Sequence, residues 1–169
     1  GERLGERKVW LHDDYVRFFR VAQWQVEQAD AGVVALVTNH GFLDNPTFRG
    51  MRSALLQTFT QLQTIDLHGN TKKDVANGDE SIFNTAQGMA VTLAARSPNA
   101  KSGSTVLRGD LIGSRSKKLQ QLRSDQAERI DLQQVVPEPP HFFFHTHRCD
   151  ALPEWEAAWR LPDAMPVST

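Results

Sequence analysis

Three polar clusters in the first half of the sequence hold residue types that can do chemistry. They are Thr38-Asn39-His40-Gly41-Phe42-Leu43, then Asp66-Leu67-His68-Gly69-Asn70-Thr71-Lys72-Lys73, then Asp79-Glu80-Ser81-Ile82-Phe83-Asn84-Thr85-Ala86-Gln87-Gly88. Each borders an apolar run with strand character. Polar residues just past a parallel strand lie at its carboxyl end, where α/β sheets place their ligands. If consecutive strands are neighbours, the three loops share one rim. Asn39 either hydrogen-bonds a substrate edge or caps its turn. Lys72 and Lys73 either meet a phosphate backbone as point charges or are simply solvated. Arg49 and Arg52, one helical turn apart, are expected to face water or pair with carboxylates.

A second constellation lies near the end of the chain. His141, His145, His147 and Cys149 fall on one face if residues 142–149 form a strand, because strand side chains alternate. His and Cys are zinc ligands. Adjacent same-face residues on one strand make a poor tetrahedral cage, however, and the expectation is a strand with polar outer residues and no metal. Nucleophilic catalysis finds no support: Cys149 stands alone and no G-x-S-x-G elbow is present.

The elements that must position these residues can be read from periodicity. A helix is expected over 13–29, with Asp13 as N-cap, an inward stripe of Tyr15, Phe19, Ala22 and Val26, and Gly32 as the C-terminal stop. The run Val33-Val34-Ala35-Leu36-Val37-Thr38 reads as a strand buried on both faces. Asn45-Pro46 opens a second helix, Asn as cap and Pro in the first turn, with Phe48, Met51, Leu55 and Phe59 inward. Residues 62–67 and 87–95 are further strands. A third helix is expected over 116–123 with Leu119 and Leu122 inward. Residues 97–104 are loop by composition, and Val136-Pro137-Glu138-Pro139-Pro140 is too Pro-dense for helix or inner strand. The order helix, strand, helix, strand, strand indicates an α/β sheet with one late antiparallel element.

Composition sets the outer bounds. The chain has 169 residues, with 19 Lys and Arg against 20 Asp and Glu, which excludes an overall basic coat for nucleic acid. A single Cys excludes a disulfide framework and points to a reducing compartment, the cytoplasm. No apolar run approaches the ~20 residues that span a bilayer, and the opening Gly1-Glu2-Arg3-Leu4-Gly5 is unlike a signal peptide. Charge is uneven: residues 96–129 carry eight basic and three acidic side chains. This block is either a local polyanion footprint or a solvated helix face.

Several runs together resemble one family. They are Asp13-Asp14-Tyr15-Val16-Arg17-Phe18-Phe19-Arg20-Val21-Ala22-Gln23, Thr38-Asn39-His40-Gly41-Phe42-Leu43-Asp44, Thr47-Phe48-Arg49-Gly50-Met51-Arg52 and Asp66-Leu67-His68-Gly69-Asn70, followed by Phe83 and Gln87-Gly88. In this order and spacing the chain resembles the adenine-specific N6 DNA methyltransferases, in the form found in type ISP restriction–modification enzymes. The resemblance implies a partial Rossmann-like methyltransferase sheet: its last three strands, mixed with one antiparallel strand, plus helices. It implies that 1–135 is the second half of a catalytic domain and that 136–169 connects toward a target-recognition domain. It implies S-adenosylmethionine as cofactor and, as partners, double-stranded DNA with a flipped adenine and the other domains of a parent polypeptide.

No G-x-G turn for the cofactor occurs in the chain. The family's Asn-Pro-Pro-Tyr/Phe tetrapeptide is matched only by Asn45-Pro46-Thr47-Phe48, which reads as a helix start. The cofactor half and the catalytic tetrapeptide are therefore expected upstream, with no catalytic residue inside this chain. The resemblance makes Phe83 the aromatic that stacks on the flipped base, the alternative being a Phe that plugs the sheet end. Asn39 joins it on the target-base side, and Lys72 and Lys73 on the DNA backbone. The rival reading is a non-enzymatic α/β module that binds nucleic acid or protein through the basic block.

Overall fold

The computed structural model describes residues 12–70, 78–99, 103–123, 130–145 and 157–158. Lys72, Lys73, His147 and Cys149 lie outside the described residues. Among the described residues, three α-helices and five strands follow in the order α1 (Asp14–Ala29), β1 (Gly32–Asn39), α2 (Arg49–Thr58), β2 (Gln61–His68), β3 (Met89–Arg96), β4 (Thr105–Asp110), α3 (Arg115–Arg123) and β5 (Gln133–Val135). They form a mixed α/β fold, consistent with part of a Rossmann-like sheet.

The sheet order is β1-β3-β2-β4-β5. β3 runs antiparallel to both β1 and β2, β2 and β4 are parallel, and β5 returns antiparallel to β4. Strands β1, β2 and β4 thus point the same way. The condition that consecutive strands be neighbours fails for β1 and β2, because β3 stands between them. The shared rim survives because β3 begins where β1 and β2 end: Asn39 pairs with Met89 and so does His68. Strands β4 and β5 were not read from the sequence. Thr105-Val106-Leu107-Arg108-Gly109-Asp110 carries a glycine and two charges, which obscures its strand character, and β5 is only three residues long.

One face of the sheet carries α1 and α2. Tyr15, Phe19 and Val26 from α1 and Leu55 from α2 pack with Leu62, Ala94 and Val106 from the strands. The other face is smaller. There Ile65 and Leu67 meet Ile82 and Leu111, with Leu119 and Leu122 of α3 against them as the helical spacing requires. Burying a large apolar side chain stabilises by roughly 1.5–3 kcal/mol, so these two clusters supply most of the driving force.

Several local expectations are corrected. β1 is an edge strand with one solvated face: Val33 is 75% and Val37 50% exposed, while Val34 and Leu36 pack inward. An apolar run without alternation concealed this, because Val and Ala on the outer face mimic a two-sided strand. α1 stops at Ala29 with Asp30 in the left-handed region (φ 60°), ahead of Gly32, which opens β1. Asp13 occupies the N-cap position of α1 but its side chain makes no capping hydrogen bond. Asn45 does cap: its side chain accepts from the Thr47 N–H at 2.9 Å, and Pro46 opens a short 3-10 turn that leads into α2. Residues 142–145 form no strand.

Arg52 does not face water. It is fully buried and donates to three carbonyls, those of Phe42 (2.6 Å), Asn45 (3.0 Å) and His141 (2.7 and 3.0 Å). Its guanidinium also lies over the Phe143 ring, itself stacked between His141 and His145. The planar five-donor fork suits this role of binding several carbonyls at once. Arg52 thereby straps the segment after β5 onto the turn that follows β1.

Candidate functional site

The rim where β1, β2 and β4 end and β3 begins gathers described polar residues from each of the three clusters, Asn39 and His40, Asp66 and His68, and Gln87. Asn39 closes β1. Its Oδ1 accepts from the Gly41 N–H at 2.8 Å, and its amide donates to the side chain of Gln87. The capping reading of Asn39 is therefore realised, and the same side chain ties the first polar loop to the third. The next residue reinforces the tie, for the His40 N–H donates to the Gly88 carbonyl at 3.0 Å.

The His40 ring reaches β2, where Nδ1 lies 2.9 Å from Asp66 Oδ1. A glycine is required beneath it, since a Cβ at position 88 would sit 2.3 Å from the ring. Asp66 is almost fully buried and meets two further donors: the His68 N–H at 2.9 Å and Arg108 Nη2 at 2.9 Å. The same Arg108 atom is 3.0 Å from Asp110 Oδ1, and Nη1 donates to the Phe144 carbonyl at 2.7 Å. Asp110 in turn meets His68 Nε2 at 2.8 Å. His40, Asp66, Arg108, Asp110 and His68 thus form one continuous network from the turn after β1 across β2 and β4.

The charges respond to this packing. Burial pushes the Asp66 carboxyl up, but hydrogen bonding to His40 and the nearby His68 hold it below its ordinary value. Asp110 is likewise raised by burial and lowered further by its bonds to His68 and Arg108, ending at about 2. The bond to Asp110 raises His68 above its ordinary value against the opposing effect of burial. Both carboxylates are therefore ionised acceptors at neutral pH, so His40 must present Nδ1–H to Asp66. His68 also has φ 49°, at an irregularity in the β2–β3 pairing. A non-glycine residue there is uncommon, and it turns the His68 ring toward Asp110 at the rim.

Asp66, His68 and Asp110 bring one ligand atom each within 4.8 Å of one another, the spacing of a cation site. Arg108 already lies against both carboxylates, so the positive charge there is supplied by the protein and a divalent ion would be repelled. No spacing of residues in the sequence announces this network. Asp66 and His68 were visible as part of a polar cluster, but Arg108 and Asp110 sit on β4, whose place beside β2 only the fold determines.

Phe83 stands in the loop that leads to β3 and is 40% exposed, while Ile82 beside it is buried. Phe83 belongs to neither core cluster. Its carbonyl accepts from the Thr85 N–H at 2.7 Å and from the Ser81 hydroxyl. The structure thus brings the Phe83 loop and Asn39 to one rim, joined through Gln87.

The basic block of residues 96–129 is less of a surface than its charge count implies. Arg108 is 7% exposed and Lys118 is fully buried. Arg96 donates to the carbonyls of Thr58 (3.0 Å) and Asp30 (3.2 Å). A hollow of about 370 Å³ beside Arg96 lies at the end of the sheet away from the rim. Among the described residues no helix is long and apolar enough to cross a membrane.

No family model matches the sequence, and no curated protein does. Solved structures do. A cryoEM structure of a DrdV–DNA complex aligns with a TM-score of 0.71 at 24% identity, over 81% of this chain and 14% of that one. The ATP-dependent Type ISP restriction-modification enzyme LlaBIII bound to DNA aligns with a TM-score of 0.71 at 21% identity, over 83% of this chain and 10% of that one. A nuclease-deletion mutant of the Type ISP enzyme LlaGI, in complex with a DNA substrate mimic, gives 0.71 at 22% identity, over 85% and 14%. The chain spans 10–14% of the length of these proteins and shares with them the fold of the aligned part.

Proposed function

We propose that this chain is the target-base side of a DNA adenine-N6 methyltransferase dependent on S-adenosylmethionine, within a restriction–modification polypeptide. The observation that carries the reading is Phe83: a large aromatic side chain, 40% exposed, on a loop bound to the strand ends by hydrogen bonds. A fold shared with DNA-bound restriction–modification enzymes supports it. An enzyme that modifies a base must take it out of the stack into a pocket. Phe83 would offer the flipped adenine a stacking face, worth ~1–3 kcal/mol. Asn39, whose oxygen caps its own turn and whose amide gives one hydrogen to Gln87, would offer its second amide hydrogen to the edge of the base, and Lys72 and Lys73 would meet the DNA backbone.

S-adenosylmethionine supplies an electrophilic methyl group when bound. This chain has no G-x-G turn, so its residues do not fit the cofactor by themselves, and no transfer step is assigned to them. Their work is to receive and orient the base. The burial of Arg108 and Lys118 weakens the rival module reading, since it removes two charges from the basic block on which that reading rests.

The test is methylation of duplex DNA by the parent polypeptide, with and without Phe83→Ala. The expected loss in rate is roughly 10–100-fold, the rate equivalent of one stacked base. A variant that methylates at wild-type rate and affinity refutes the stacking role.

A further inference from the structure

We infer that Lys118 and Asp79 form a clip whose task is to position Phe83; the inference rests on the base-stacking reading above. Lys118 has no exposed surface, yet it lies on α3, a helix that is polar along most of its length. Its Nζ reaches Asp79 Oδ1 at 2.6 Å and donates to the carbonyls of Leu67 at 2.7 Å and Glu80 at 2.8 Å. All three ammonium donors therefore have acceptors. Asp79 is equally engaged: Oδ2 accepts from the Gly69 N–H and Oδ1 from the Gly113 N–H, each at 2.8 Å. Glu80 continues the seam, its N–H donating to the Gly113 carbonyl at 3.0 Å and its side chain accepting from the Arg115 N–H at 2.7 Å.

These bonds converge on the start of one loop. They join the end of β2, the turn after β4 and the beginning of α3 to residues 79 and 80. The other end of the loop is held by Gln87 on Asn39 and by the Gly88 carbonyl on His40. Phe83 lies between the two anchorages. Gly69 shows how close the approach is: with φ 79°, a Cβ there would lie 2.5 Å from the Ser81 backbone.

Stability alone does not call for such a pair. A buried ion pair is often no more stabilising than apolar residues of the same volume, while removing one partner is strongly destabilising. What charges add is directionality. An ammonium and a carboxylate with every donor and acceptor matched admit one arrangement, where an apolar contact admits several. A stacking aromatic held ready in advance avoids the ordering cost at the moment of binding.

The experiment is a double-mutant cycle on DNA adenine methylation by the parent polypeptide, with Lys118→Met and Phe83→Ala. Phe83→Ala alone is expected to lower kcat about tenfold or more. Lys118→Met is expected to lower kcat by a similar factor while KM for the methyl donor stays unchanged. In the Lys118→Met background, Phe83→Ala is then expected to change kcat less than about twofold, because the aromatic is already misplaced. Factors that multiply overturn the clip: Lys118 would then act on fold stability and not through Phe83. Asp79→Asn keeps the side-chain volume and both Lys118 carbonyl bonds, and it carries the same cycle should Lys118→Met fail to fold. A parent in which Phe83→Ala alone has no effect overturns the stacking reading itself, which is a distinct outcome from multiplicative factors.

Discussion

Arg108→Met is the sharpest test of the rim network. The substitution keeps most of the side-chain volume and removes three hydrogen bonds: 2.9 Å to Asp66, 3.0 Å to Asp110 and 2.7 Å to the Phe144 carbonyl. The larger effect is on what is left behind. Asp66 has a side chain 6% exposed and Asp110 one 35% exposed, and the cation between them is gone. Breaking a buried pair by removing one partner costs about 3–5 kcal/mol. Folded domains are stable by roughly 5–15 kcal/mol, so the loss is a large share of the total. For a chain of this size it corresponds to a fall in Tm of roughly 10 °C. The assay is equilibrium unfolding in urea at pH 7, with the m-value checked for constancy between wild type and variant. Arg108→Met combined with Asp66→Asn should recover part of the loss, because the amide no longer carries a buried charge. A loss below about 1 kcal/mol, the range of exposed pairs, would refute the claim that Arg108 neutralises the rim from within.

Two further outcomes follow from the same geometry. Gly88→Ala would place a Cβ 2.3 Å from the His40 ring and should expel it, breaking the contact with Asp66; the expected destabilisation is about 1–3 kcal/mol, and unchanged His40 ring resonances in the variant would contradict it. The pH profile should fall on both sides. His68 is raised above 6.5, so its contribution is complete below that value and is lost as pH rises through the folded value. Asp66 and Asp110 are depressed below 3.8, so their contribution is complete above that value and is lost as pH falls, for Asp110 down to about 2. Asp110→Asn should flatten the alkaline limb, since His68 loses the partner that raises it. An alkaline limb of the same slope in that variant would show that another group is responsible.

The sequence by itself determined the helices and strands β1, β2 and β3, because their signals are local. Tyr15, Phe19 and Val26 recur at helical spacing, and Asn45-Pro46 is a self-contained start signal, which the structure uses to open the 3-10 turn that leads into α2. It also isolated the three polar clusters, since polar residues with glycines between apolar runs stand out without any knowledge of packing. What it could not decide was which strands are neighbours. Strand pairing is a long-range choice, so the insertion of β3 between β1 and β2, and of β4 beside β2, appears in no window of residues. For that reason Arg108 and Lys118 read as part of a solvated basic block, when tertiary contacts bury one between two carboxylates and the other beneath the Phe83 loop. Arg52 reads as a surface cation for the same reason, until the segment after β5 brings the His141 carbonyl onto it. A buried charge is tolerated only where several distant groups satisfy it together, and such convergence is a property of the folded chain alone.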